Sequence, residues 1–149
     1  MRIPVNYAEW CALFDEIAAS PRDEAYLDAI ARGQISFTSG VAERFVRAAT
    51  DLIRKRVNAA QDVYQRQLKN SRGMNSNVTT ALSTLKKEYV YVHKIAKALP
   101  IPPEYRSQIV KMVQDQADMT QRSLEDSAKA DRTGHLMQLV RGAGMNKLG

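Results

Sequence analysis

The sequence predicts an all-α protein: an elongated bundle of three long antiparallel helices, with a short two-helix N-terminal head and a short C-terminal helix or tail. Three observations carry this. Apolar residues recur at helical spacing over three long stretches. Only 7 Gly and 5 Pro interrupt 149 residues, few for the many turns of a β-sandwich. Hydrophobic residues make up 44% and charged residues 26%, enough apolar content for the chain to fold around a core.

The head comes first, over residues 1–33. In "NYAEWCALFDEIAAS", Asn6 is placed to cap a helix and Glu9 to complete a capping box. Tyr7, Trp10, Leu13, Phe14 and Ile17 share one helical face. A second short helix is expected from "SPRDEAYLDAIARG", with Ser20 as cap, Pro21 at its first helical position and Gly33 as terminator. Tyr26, Leu27 and Ile30 form its inner face. "GQISFTSG" then reads as a connector, with a short extended piece at Ile35 and Phe37.

The three long helices are expected over residues 40–134. The first starts at a Thr38 or Ser39 cap and runs to about Asn70. Val41, Phe45, Ala48 and Leu52 form its seam, and Ile53, Val57, Ala60, Tyr64 and Leu68 continue it one position over. "NSRGMNSN" reads as a loop. The second has the most regular pattern: Val78, Leu82, Leu85, Tyr89, Val92, Ala96 and Leu99 recur in steps of four and three, as in a coiled coil. The strand propensity of "YVYV" within it is a weaker signal than this period. "PIPP" ends that helix, and Pro103 starts the next. The third runs to about Thr133, with Ile109, Met112, Val113, Ala117, Met119, Leu124 and Ala128 inward. Gln116 and Ser123 interrupt its seam, so its second half is expected to project or to meet a partner. Residues 1–134 thus read as one helical domain. Residues 135–149 read as an amphipathic segment, "HLMQLVR", and a flexible tail.

The chain carries a formal charge of +6, and the charge is uneven. Residues 1–39 hold three Arg against six acidic side chains; the remainder is strongly basic. One cysteine, Cys11, excludes an internal disulfide. No apolar run approaches the roughly 20 residues of a membrane span. Residues 1–11 lack the apolar core of a signal peptide. The expectation is a cytoplasmic protein without a membrane partner.

Most chemistry is excluded by its own requirements. Cys11, His93 and His135 are too few and too scattered for zinc, and no paired Glu-x-x-His exists for a di-iron bundle. Ser83-Thr84-Leu85-Lys86 matches an S-x-x-K motif, and Arg132-Thr133-Gly134 a K-T-G-like box, but the context of a serine hydrolase is missing. Gly142-Ala143-Gly144 has no strand before it and no helix after it, so it is no dinucleotide loop. No catalytic residue, cofactor or metal is expected, and no family resemblance emerges.

Two functions remain. The first is a non-enzymatic helical interaction or assembly protein, self-associating through helix–helix contacts as a homo-oligomer. The Val78–Leu99 seam motivates it, together with Leu136, Leu139 and Val140 as residues that dock on a partner or pack back on the bundle. The second is a nucleic-acid-binding helical module. Its phosphate contacts would be Arg54, Lys55, Arg56, Arg66, Lys86 and Lys87.

Overall fold

The structure is a computed structural model and describes residues 2–71 and 75–149. Six helices follow in order: α1 (Tyr7–Ala19), α2 (Glu24–Arg32), α3 (Ser39–Ser71), α4 (Asn75–Ala98), α5 (Pro103–Ala128) and α6 (His135–Ala143). No strand occurs among the described residues. Helices α3, α4 and α5 form the antiparallel bundle. The head lies over one side of it, α1 on α3 and α2 on α4, while α6 returns against α4 and α5.

The start of α1 follows local chemistry. The Asn6 side chain accepts from the Glu9 N–H at 2.9 Å. Glu9 reaches one residue further back than a capping box requires, to the Val5 N–H at 3.0 Å, and also pairs with Arg2. Trp10, Leu13, Phe14 and Ile17 are buried on one face. The Trp10 ring meets Phe45 of α3 edge-on at 5.2 Å, and its Nε1–H donates to the Gln34 carbonyl.

The start of α2 differs from expectation. Ser20 does not cap it and Pro21 does not open it; Asp23 caps it, accepting from the Ala25 N–H at 2.9 Å, and Glu24 is its first residue. Ser20 instead ends α1, its hydroxyl donating to the Glu16 carbonyl. Gly33 terminates α2 as expected, at φ −67°, an ordinary conformation.

The seam of α4 is buried throughout, from Val78 at 6% exposure to Tyr89, Val92, Ala96 and Leu99 at 0%. Of the expected α3 seam, Phe45, Leu52, Ile53, Val57 and Tyr64 are buried and Val41, Ala48, Ala60 and Leu68 are half-buried, while Ala49, next to Ala48, is buried too. Part of the expected 70–77 loop is helical, since α3 runs to Ser71 and α4 starts at Asn75. Arg72 and Gly73 lie outside the described residues. "PIPP" separates α4 from α5 as expected, with Pro103 opening α5.

Helix α5 ends at Ala128, short of the expected Thr133. Asp131 organises the connector. Its carboxylate accepts from the Thr133 and Leu136 N–H groups and from the Thr133 hydroxyl. Short acidic side chains compete with the helix for backbone donors in this way. These bonds, that to the Leu136 N–H first, hold the carboxyl below its ordinary range. Gly134 is left-handed, at φ 77°, but as the cap before α6 rather than the residue after α5. Met119 does not join the inner face of α5; it is 64% exposed.

The segment expected to be a flexible tail is part of the core. Val140, Met145 and Leu148 are buried, Met145 completely. Gln121 of α5 holds the segment at two points: it donates to the Val140 carbonyl and accepts from the Met145 N–H at 2.8 Å. Gln114 donates to the Asn146 carbonyl.

Candidate functional site

Basic side chains in this chain do two different jobs. Some close helix ends. Helix C-termini leave carbonyls without partners and carry negative potential, which a cation offsets. Helix α1 has no basic residue in its last turn. Arg56 supplies one from α3, its Nη1 donating to the Ile17 carbonyl at 2.6 Å and the Ser20 carbonyl at 2.8 Å. Lys86 of α4 does the same for α6, donating to the carbonyls of Ala143 and Gly144. Arg106 of α5 leans on the Leu99 and Ile101 carbonyls beyond α4.

Two of the six expected phosphate contacts are therefore engaged inside the molecule. Arg56 is 8% exposed. Its Nε lies 2.6 Å from Glu88, its Nη2 lies 3.1 Å from the same carboxylate, and its guanidinium stacks on the Tyr91 ring. Lys86 is half-buried; burial, with Lys147 nearby, holds its ammonium below the ordinary lysine value. Its Nζ faces the α6 carbonyls, so the adjacent Ser83 of the S-x-x-K motif gains no base from it. Arg54, Lys55, Arg66 and Lys87 are exposed as expected.

The exposed face of α3 is more coherent than the sequence suggested. At about 100° per residue, Arg44, Arg47, Arg54, Lys55, Arg66 and Lys69 fall within one sector of about 120°. All six are exposed. Asp51 and Asp62 are the acidic residues in that sector, beside the uncharged Ala48, Asn58 and Gln65. None of the six forms an ion pair among the described residues. Arg44 stacks on Tyr7, and Arg44 and Arg66 each touch a backbone carbonyl of their own helix. The ridge runs along a helix of 33 residues, about 50 Å at 1.5 Å per residue.

A second feature has no counterpart in the sequence reading. Glu88, buried at 4% exposure, is shared by Arg56 and by Arg22 of the head. Two positive charges thus face one negative charge. Beside this cluster a cleft of about 380 Å³ opens between the α1–α2 turn, α3 and α4. Ala18, Ala59, Ala60, Val63 and Leu85 form its apolar walls, and Arg22, Arg56, Glu88 and Tyr64 supply polar groups. Burial pushes the Tyr64 phenol above its ordinary value.

The expected docking residues lie on α6. Val140 is buried, and Leu136 and Leu139 are half-buried against the core of their own chain. Among the described residues, no three His, Cys, Asp or Glu side chains come together as a metal-binding group. No helix among them is long and apolar enough to cross a membrane. No protein-family model, curated protein or solved structure matches the chain.

Proposed function

We propose that this chain is a non-enzymatic helical binding protein that holds a polyanion, the phosphate backbone of a nucleic acid, on the outer face of α3. The unpaired row of Arg44, Arg47, Arg54, Lys55, Arg66 and Lys69 carries the reading. Some exposed cations elsewhere pair with acids, as in Lys111–Asp115 and Lys129–Asp126, while Lys87, Lys97, Arg122, Arg132 and Lys147 also stand without an ion pair among the described residues; what sets α3 apart is six such cations on one face of one helix. Cations held in a row without ion-pair partners are suited to displacing the counterions condensed on a phosphate chain. Tyrosines at the helix contacts, such as Tyr89, are buried and leave the contact to backbone charge rather than to base stacking.

Self-association rested on the α4 seam and on the polar half of α5. The seam is filled by its own bundle, and α6 covers part of α5, so neither feature supports it. The polar groups gathered inside also serve structure. Gln61 donates to Tyr89 and Thr120, and Gln121 clamps residues 140 and 145.

Fluorescence polarisation with labelled duplex DNA, single-stranded DNA and RNA at 50 and 200 mM salt tests the proposal. Affinity should fall steeply with salt. The triple variant Arg47→Gln, Arg54→Gln, Lys55→Gln should bind more weakly, and its log–log salt slope should flatten by about 2–3. Absence of binding at low salt, or a triple variant that binds like the parent, overturns it.

A further inference from the structure

We propose that the cleft between the α1–α2 turn, α3 and α4 binds a small organic carboxylate with an apolar body. The carboxylate sits on Arg22 and the body along the alanine-lined wall. This does not rest on the polyanion reading, which concerns a different face of α3.

The shape argues for a small molecule. A volume of about 380 Å³ lies at the lower end of small-molecule sites, and the walls are mostly apolar with a few convergent polar groups. Val63 remains 37% exposed at this wall, one of few large apolar side chains left uncovered. The alanines at 18, 59 and 60 leave room that larger side chains would fill.

Charge selects the ligand. Arg56 has its donors committed: Nε and Nη2 to Glu88, and Nη1 to two carbonyls. Arg22 makes one contact with Glu88, at 3.1 Å, and its side chain is 36% exposed. A guanidinium has five N–H donors in a planar fork that matches a carboxylate in two places. Most of the Arg22 donors therefore have no partner among the described residues. The cluster carries one positive charge in excess, which suits a monoanion.

Tyr64 gives an independent indication. This residue is 4% exposed and lines the cleft, and its hydroxyl has no hydrogen bond among the described residues, so it is free to meet a ligand there. The Tyr89 hydroxyl, by contrast, is bonded to both Gln61 and Thr120.

Isothermal titration of the full chain with decanoate tests the site, with decanol and acetate as controls. Saturable binding of decanoate is expected, with decanol weaker and acetate silent. Arg22→Gln should weaken decanoate at least tenfold and leave decanol unchanged. Ala60→Phe should fill the wall and abolish both. Thermal unfolding of each variant checks folding, and Arg22→Gln, at a half-exposed position, should remain folded if Ala60→Phe does not. No saturable decanoate binding at millimolar concentration, or decanoate binding that Arg22→Gln leaves unchanged, overturns the proposal. Nucleic-acid binding should be unaffected by Ala60→Phe, so the two readings fail separately.

Discussion

The indole of Trp10 occupies the space that a side chain at Gly33 would need. A Cβ at residue 33 would stand 2.4 Å from Cζ2 and 2.7 Å from Cη2, with a Pro4 ring carbon at 3.0 Å. Trp10 is fully buried against Phe14 and Phe45 and cannot step aside cheaply. The glycine is required by this approach and not by its backbone angles.

Gly33→Ala should therefore destabilise by about 1–3 kcal/mol, the usual cost of overpacking. In a chain of this length that lowers Tm by several degrees, about 2–4 °C per kcal/mol. Trp10→Phe in the same chain should recover part of the loss, because the smaller ring vacates the contact. Chemical denaturation of both single variants and the double variant measures the coupling. A Gly33→Ala protein as stable as the parent would remove the packing argument.

The shared carboxylate of Glu88 makes a second test. Removing one partner of a buried ion pair leaves a charge without compensation, at a cost of about 3–5 kcal/mol. Glu88→Gln should fall in that range, since the amide keeps one acceptor for Arg56 but removes its counter-charge. The Arg56→Met, Glu88→Leu double variant should be much more stable than Glu88→Gln, because apolar side chains of similar volume replace a buried pair at little cost. Arg22→Gln should be mild, since that side chain is partly solvated. Urea unfolding of the set ranks them; a double variant no better than Glu88→Gln contradicts the assignment.

The same pair shows what was legible in the sequence. The steps of four and three from Val78 to Leu99 announced the α4 seam, and the Asn6 cap announced α1, because both signals are local. The Arg56–Glu88 contact joins residues on different helices, and no local pattern states that they meet. Yet a trace existed. Arg56 follows Leu52 by four and Ile53 by three, and Glu88 lies three after Leu85 and four before Val92. A charge at such a seam position is a buried charge in need of a partner. The basic ridge of α3 was blurred because surface cations and helix-closing cations look alike in sequence. Met145 and Leu148 were hidden for another reason: glycines around them masked a three-residue apolar spacing that needs Gln121 and Lys86 from other helices to hold it.

His93 makes stability depend on pH. It is 5% exposed, and its Nδ1 is buried with no hydrogen-bond partner among the described residues. Burial, with the Lys97 ammonium adding to it, holds the imidazole below its ordinary value near 6.5. The unfolded chain then binds a proton at a pH where the folded chain does not. Stability is fully present above about pH 6.5 and falls as the pH drops below it. Denaturant midpoints should decline between pH 7 and 5. His93→Leu should flatten that decline and cost little at pH 7.5, since it removes the unpaired nitrogen. An unchanged pH profile in His93→Leu would place the titrating group elsewhere.

Residues 145–149 should behave as core rather than as an appendage. Met145 is completely buried and Leu148 nearly so, and the segment is tied by Gln121 and Gln114. Full burial of one such side chain stabilises by about 1.5–3 kcal/mol. Deleting residues 145–149 should thus cost about 3–5 kcal/mol, and Met145→Ala about 2–5 kcal/mol, depending on how far the cavity closes. Gln121→Leu should also destabilise, since the Met145 N–H loses its partner in a buried place and the Val140 carbonyl keeps only the Gly144 N–H. The mass measured by light scattering should be the same for the parent and all three variants, because these contacts lie within one chain. If the deletion kept its stability and changed the mass instead, residues 135–149 would belong to an interface between chains, and their burial in this fold would have to be reassigned.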